Sequence, residues 1–211
     1  MEAKLNSKHI LLLGLITVCC VIELALTSSE LYMIKPAQLR RLVYDYGAFW
    51  PGLLYNWKPN YTAQPIAMFI TYGFLHTGFV HLAVNMITLW SLGRAVLNQV
   101  GQVSFVIIYA GASLGGAAVF ALLAHGLRPM VGASGALFGL LGAILAWEYV
   151  DTHTDREGRR HIVKVILLLA GLNFVLWWAM DGQLAWQAHL GGFVVGWMAA
   201  LLITRKPLKE H

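Results

Sequence analysis

Six apolar runs, separated by polar or charged breaks, constrain this chain more than any other feature. They cover residues 9–27, 79–97, 103–124, 132–150, 161–180 and 186–204. Each is near the ~20 residues that an α-helix needs to cross the hydrocarbon layer. One aqueous core could not enclose them all. Of the 211 residues 58% are hydrophobic and 12% charged, against about 25% charged in a soluble domain. The expected fold is all-α: a polytopic membrane bundle of six helices, forming a single domain over residues 1–211.

The first and second runs are joined by residues 28–78, too long a stretch to be an idle loop. Within it Leu39, Leu42, Val43 and Tyr46 fall at helical spacing, with Arg40, Arg41 and Asp45 on other faces. That pattern predicts a short amphipathic helix lying in the membrane interface. Trp50, Tyr55, Trp57 and Tyr61 are the aromatics expected at headgroup level. No clean small-x-small cleavage site follows Glu23, so the first run is expected to be an anchor and not a cleaved leader.

The net charge of +5 invites a nucleic-acid reading, but the basic residues sit at the ends of apolar runs. Six crossings put Lys4, Lys8, Arg94, Arg156, Arg159, Arg160, Lys164, Arg205, Lys206 and Lys209 on one side. Lys35, Arg40, Arg41, Lys58 and Arg128 fall on the other. The positive-inside rule makes the first side cytoplasmic, with both termini on it, and accounts for the charge with no nucleic acid. Cys19 and Cys20 are adjacent and within an apolar run; they are expected to be fillers. Glu23 and Glu148, near helix ends, are expected to reach the interface.

In this topology the second, fourth and sixth helices all start from the outer side. His81, Asn85 one turn deeper, Ser134 and His189 then share one depth, within roughly 10 Å of the outer surface at ~1.5 Å rise per residue. Ser134 stands in Gly132-Ala133-Ser134-Gly135, at the start of a helix, where unpaired N–H groups and the helix dipole favour an oxyanion. Small residues there also serve close helix packing, and a buried histidine such as His189 can simply bond to backbone. Against that, Gly135, Gly139 and Gly142 of the fourth run match Gly192 and Gly196 of the sixth. Contact along those faces would bring the His189 imidazole to the Ser134 hydroxyl, where it could act as general base.

Together, Gly132-Ala133-Ser134-Gly135, His81-xxx-Asn85 and Ala188-His189-xx-Gly192-xxx-Gly196 resemble the motif set of the rhomboid intramembrane serine proteases. The order and placement match over nearly the whole chain. The resemblance implies a six-helix rhomboid-like bundle with a long interfacial first loop; because the sequence ends soon after the sixth run, a minimal form with no appended domain is expected. It implies a serine endopeptidase that cleaves in or near the transmembrane segments of membrane protein substrates. Ser134 would be the nucleophile and His189 the base of a Ser–His dyad. His81, Asn85 and the Ser134 N–H would stabilise the oxyanion, and Phe138 would pack against His189. His76 lies in a Phe74-Leu75-His76 segment similar to the one preceding the family's second helix. Segment 64–68 lacks the Trp-Arg pair with which many members stiffen the first loop. The alternative is a catalytically inactive rhomboid-like protein that binds membrane segments.

No cofactor is expected. No His/Glu pair has the H-E-x-x-H spacing of a zinc protease. A G-x-S-x-G nucleophile elbow fails because position 136 is alanine and no strand is expected before it. A transporter would carry polar groups near the midplane. Asp181, in the turn before the sixth helix, is assigned no role. His9, His125, His153, His161 and His211 are expected to be solvated or interfacial. Trp177 and Trp178 are expected as belt aromatics, or, on the resemblance, as bulky residues gating lateral access at the fifth helix. The expected location is a bacterial inner membrane, with the site toward the outer side.

Overall fold

The computed structural model describes residues 9–33, 35–36, 38–124 and 128–205. Lys4, Lys8, His125, Lys206, Lys209 and His211, which enter the charge and histidine arguments, lie outside the described residues. Among the described residues the regular structure is helical, apart from one antiparallel bridge between Phe49 and Met130. The helices are α1 (Ile10–Glu30), α2 (Leu39–Gly47), α3 (Gln64–Thr71), α4 (Phe79–Leu123), α5 (Ser134–Thr152), α6 (Arg156–Ala179) and α7 (Trp186–Leu202). Short 3₁₀ turns occupy Pro51–Leu54 and Tyr72–Phe74. By length and composition α1, α4 and α6 are apolar enough to cross a membrane. The shorter α5 and α7, of 19 and 17 residues, lie beside α4 and each other.

One boundary falls where the apolar runs put it, and one differs. The second and third apolar runs are two arms of α4, and the change of direction comes at Gly101, in the gap between the runs, where φ is 80°. Arg94 stays helical, its guanidinium 5.0 Å from the Trp90 ring centroid. A straight helix of 45 residues would run ~68 Å, more than twice the ~30 Å hydrocarbon layer. Glycine supplies the break because a side chain at positive φ is strained. The charged stretch 151–160 is also mostly helical, with α5 running to Thr152 and α6 starting at Arg156. Asp155 caps α6, accepting from the Gly158 N–H at 2.9 Å and the Glu157 N–H at 3.2 Å. Those two bonds hold its carboxyl below the usual range.

The bundle is built around α5, which packs against α7 and α4. Leu12, Leu89, Phe105, Ile108 and Leu140 are buried together in the main core. Glycines let α5 and α7 touch backbone to backbone. A Cβ at Gly192 would overlap the Gly135 carbonyl, and one at Gly196 would overlap the Gly139 carbonyl. Lower down, the Trp147 indole N–H donates to the Ala200 carbonyl at 2.9 Å. By contrast α6 is loosely held, with Ile162 its one buried residue.

The first loop is fastened in a way the sequence reading did not anticipate. Glu23 is buried inside the protein, 1% exposed, because Arg40 folds inward from α2. The Arg40 guanidinium donates to Glu23 Oε1 at 2.7 Å and Oε2 at 3.0 Å, to Glu30 at 2.6 Å, and to the His76 carbonyl at 2.8 Å. A planar fork of five donors suits three such partners at once, which a lysine could not match. Buried Gln64 adds bonds to the Asp45 carbonyl and the Asn60 N–H, both at 2.7 Å. Arg40→Met leaves the Glu23 carboxylate buried and unpaired, and is expected to cost about 3–5 kcal/mol. Thermal unfolding in detergent checks this: the midpoint should fall sharply and recover in part in the Arg40→Met/Glu23→Gln double variant. An unchanged midpoint contradicts the clamp.

Candidate active site

Ser134 is the first residue of α5, preceded by Ala133 at the N-cap. The chain reaches it along a fixed path. Phe49 and Met130 exchange backbone bonds of 3.0 and 2.9 Å, and the Gly132 N–H donates to the Tyr72 carbonyl at 3.0 Å. Gly132 has φ 122°, and a Cβ there would lie 2.8 Å from His81 Cε1, 3.0 Å from His81 Nε2 and 3.9 Å from Ser134 Oγ. Only glycine suits both the backbone angle and the nearby ring. The His81 ring therefore lies against the peptide that leads into Ser134.

His81 also shows which nitrogen holds its proton. The Thr77 backbone N–H donates to His81 Nδ1 at 3.3 Å, so Nδ1 is the acceptor. In the neutral ring the proton is then on Nε2, the nitrogen beside Gly132. Asn85, one turn further along α4, is 4% exposed. Its Nδ2 donates to the His81 carbonyl at 2.8 Å, leaving a second amide hydrogen.

His189 is the fourth residue of α7 and is buried. Its Nε2 lies 2.8 Å from Ser134 Oγ, and its ring stacks on Phe138 with centroids 4.2 Å apart and planes 8° from parallel. Its other nitrogen, Nδ1, lies 2.6 Å from Asn173 Oδ1 on α6. The structure thus brings His189 into direct contact with both Ser134 and Phe138, with His81 across Gly132 and Asn85 behind it. Ser134 and His81 are half-buried. Asp181 makes no contact with His189; it sits in the turn after α6 at φ 49°.

A model of the rhomboid domain matches residues 63–206. The chain belongs to the rhomboid family. It is 35% identical over 134 residues to RHOMBOID-like protein 5 of Arabidopsis thaliana, covering 63% of this chain and 42% of that one. With the rhomboid protease GluP of Bacillus subtilis it shares 36% identity over 126 residues, 60% of this chain and 24% of the other. With the mitochondrial rhomboid protein 1 of Saccharomyces cerevisiae it shares 28% over 174 residues, 73% of this chain and 46% of the other. The chain spans less than half the length of each of these relatives.

The matched part of this rhomboid takes in α3 to α7, and so holds every residue of the site. Arg40 and Glu23 lie before it. Their clamp still bears on the site through the His76 carbonyl, which also accepts from the Tyr44 hydroxyl at 2.6 Å. The His76 side chain is fully buried, and its ring meets the His81 ring edge-on at 5.2 Å. Burial, helped by repulsion from His81 where that ring is protonated, pushes it down to about 4, so it is neutral at pH 7. The unfolded chain would take up this proton near pH 6.5 and the folded chain only near 4. The stability His76 lends is therefore whole above pH 6.5 and lost as pH falls toward 4, by up to about 3 kcal/mol. Unfolding midpoints measured between pH 7 and 4.5 should fall, and less steeply in His76→Phe. Parallel slopes would contradict the assignment.

Two residues escaped the sequence reading. Asn173 carried a signal, being a lone amide between Leu172 and Phe174 in an apolar run, where polar groups tend to be functional. Arg40 carried none, since its place on an amphipathic pattern points equally well to solvent.

Proposed function

We propose that this rhomboid is an intramembrane serine endopeptidase acting through a Ser134–His189 dyad on transmembrane protein substrates. The 2.8 Å contact between His189 Nε2 and Ser134 Oγ, made across two helices, carries the reading. The hydroxyl attacks the scissile carbonyl as Nε2 takes its proton. The imidazolium then protonates the leaving amine, and the acyl-enzyme is hydrolysed by water activated at the same nitrogen. Charge on the tetrahedral oxygen would be met by His81 Nε2–H, by the free Asn85 amide hydrogen and by the Ser134 N–H at the start of α5. Phe138 restrains the tilt of the base.

The same reading covers the setting. Residues 1–211 form one domain with six membrane crossings, α4 supplying two of them. The termini are cytoplasmic and the site faces the outer side of a bacterial inner membrane. A substrate segment approaches past α6, the least enclosed of the three long apolar helices, beside an apolar cavity of about 510 Å³ between α5, α6 and α7. The test is cleavage of a reporter transmembrane segment in proteoliposomes, with mass-spectrometric location of the cut. Cleavage by the wild type and none by Ser134→Ala is expected. A wild type that binds the segment without cutting it would establish the inactive, segment-binding alternative instead.

A further inference from the structure

We infer that Asn173 is a positioning residue that sets the tautomer and orientation of the His189 imidazole from α6; this rests on the Ser134–His189 reading above. The amide's own orientation follows from its two contacts. Nδ2 donates to the Leu169 carbonyl at 2.9 Å, which turns Oδ1 toward His189 Nδ1 at 2.6 Å. The reversed amide would set Oδ1 against the Leu169 carbonyl, two acceptors face to face. With Oδ1 fixed as acceptor, His189 Nδ1 must carry the proton. Nε2 then keeps its lone pair, and it is Nε2 that lies 2.8 Å from Ser134 Oγ. The other tautomer would point an N–H at the nucleophile and a lone pair at Oδ1, losing both bonds.

Phe138 and Asn173 restrain different motions of the ring. Stacking at 4.2 Å limits tilt, but it would allow the imidazole to rotate within its own plane. The Nδ1–Oδ1 bond stops that rotation. Asparagine also suits the surroundings, because this flank of α6 borders the cavity beside Leu169, Phe174 and Trp177. A carboxylate there would stay charged only while paired with the His189 imidazolium.

The contact also makes the base depend on where α6 lies. α6 is barely buried and touches α7 at few points. An α6 displaced outward takes the Nδ1 acceptor with it and frees the imidazole. The dyad is then fully set only when α6 is seated.

The test uses the full-length protein in detergent and the rate of labelling by a fluorophosphonate, measured from pH 5 to 9. Asn173→Leu should slow labelling about 10- to 100-fold, the range for losing one hydrogen bond to a group that becomes charged. Asn173→Asp keeps the acceptor and favours the imidazolium, so it should restore much of the rate and move the acid limb of the profile to higher pH. His81 on α4, the other titratable group that acts on His189, is unchanged in both variants. A residue that merely packs would not move that limb. Wild-type rate and profile in Asn173→Leu would overturn the inference and leave the dyad standing. So would an Asn173→Asp variant as slow as Asn173→Leu with the limb unmoved. A wild type that takes no label removes the dyad reading, and this inference with it.

Discussion

His189→Ala is expected to lower kcat/KM for cleavage of a reporter transmembrane segment by on the order of 10⁴- to 10⁶-fold, with Ser134→Ala losing as much. The reason is geometric. At 2.8 Å from Ser134 Oγ, His189 is the side chain placed to take the hydroxyl proton, and a neutral serine hydroxyl is a weak nucleophile without a base. Two residues that act as a unit give losses that do not add. The Ser134→Ala/His189→Ala double variant should therefore be little worse than either single one. Losses that multiplied would mean that the two side chains act separately. In contrast, Asn85→Ala should cost less, about 10²- to 10³-fold in kcat, as for removal of one oxyanion donor.

Gly192→Ala is expected to be the glycine substitution at the α5–α7 contact that most directly disturbs the Ser134–His189 pair. Its new Cβ would overlap the Gly135 carbonyl oxygen and lie 2.7 Å from the carbonyl carbon. Backbone cannot swing aside as a long side chain can, so α7 must move off α5. Overpacking of this kind costs about 1–3 kcal/mol. The functional loss should be larger, because Gly135 follows Ser134 directly and Gly192 lies three residues after His189. A displacement of ~1 Å at a reacting pair can cost about 10²-fold in rate. Gly171→Ala supplies the control, since nothing lies within 4 Å of a Cβ there. Unfolding midpoints and cleavage rates of both variants decide the matter. Equal behaviour would show that the close α5–α7 contact does not govern the site.

The helical bundle and the neighbourhood of the site were legible in the sequence for specific reasons. Apolar runs near 20 residues are strong signals because lipid leaves backbone groups no partner outside a helix. The small residues Gly135, Gly139, Gly192 and Gly196 mark two faces that admit close backbone approach, and in the structure they touch. Hydropathy says less about where a helix turns. The gap at 98–102 marks a break but not its residue: Gly101 makes it, while charged Arg94 stays helical with its guanidinium over the Trp90 ring. Charge patterns say less again about inward-facing ions. Glu23 and Arg40 stand 17 positions apart in sequence, and nothing in either segment names the other as its partner. Asn173 was hidden for a different reason. Beyond Lys164, α6 is apolar on every side apart from Asn173 itself, so periodicity there gives no face, and only the three-dimensional approach of His189 shows which way the amide points.

The central claim is that Ser134 is a nucleophile activated by His189. The most direct test is to react the detergent-solubilised protein with a fluorophosphonate and locate the adduct by mass spectrometry. A single adduct on Ser134 is expected in the wild type, with none in Ser134→Ala and far slower formation in His189→Ala. Labelling of Ser134→Ala at the wild-type rate, or an adduct elsewhere in the chain, would contradict it.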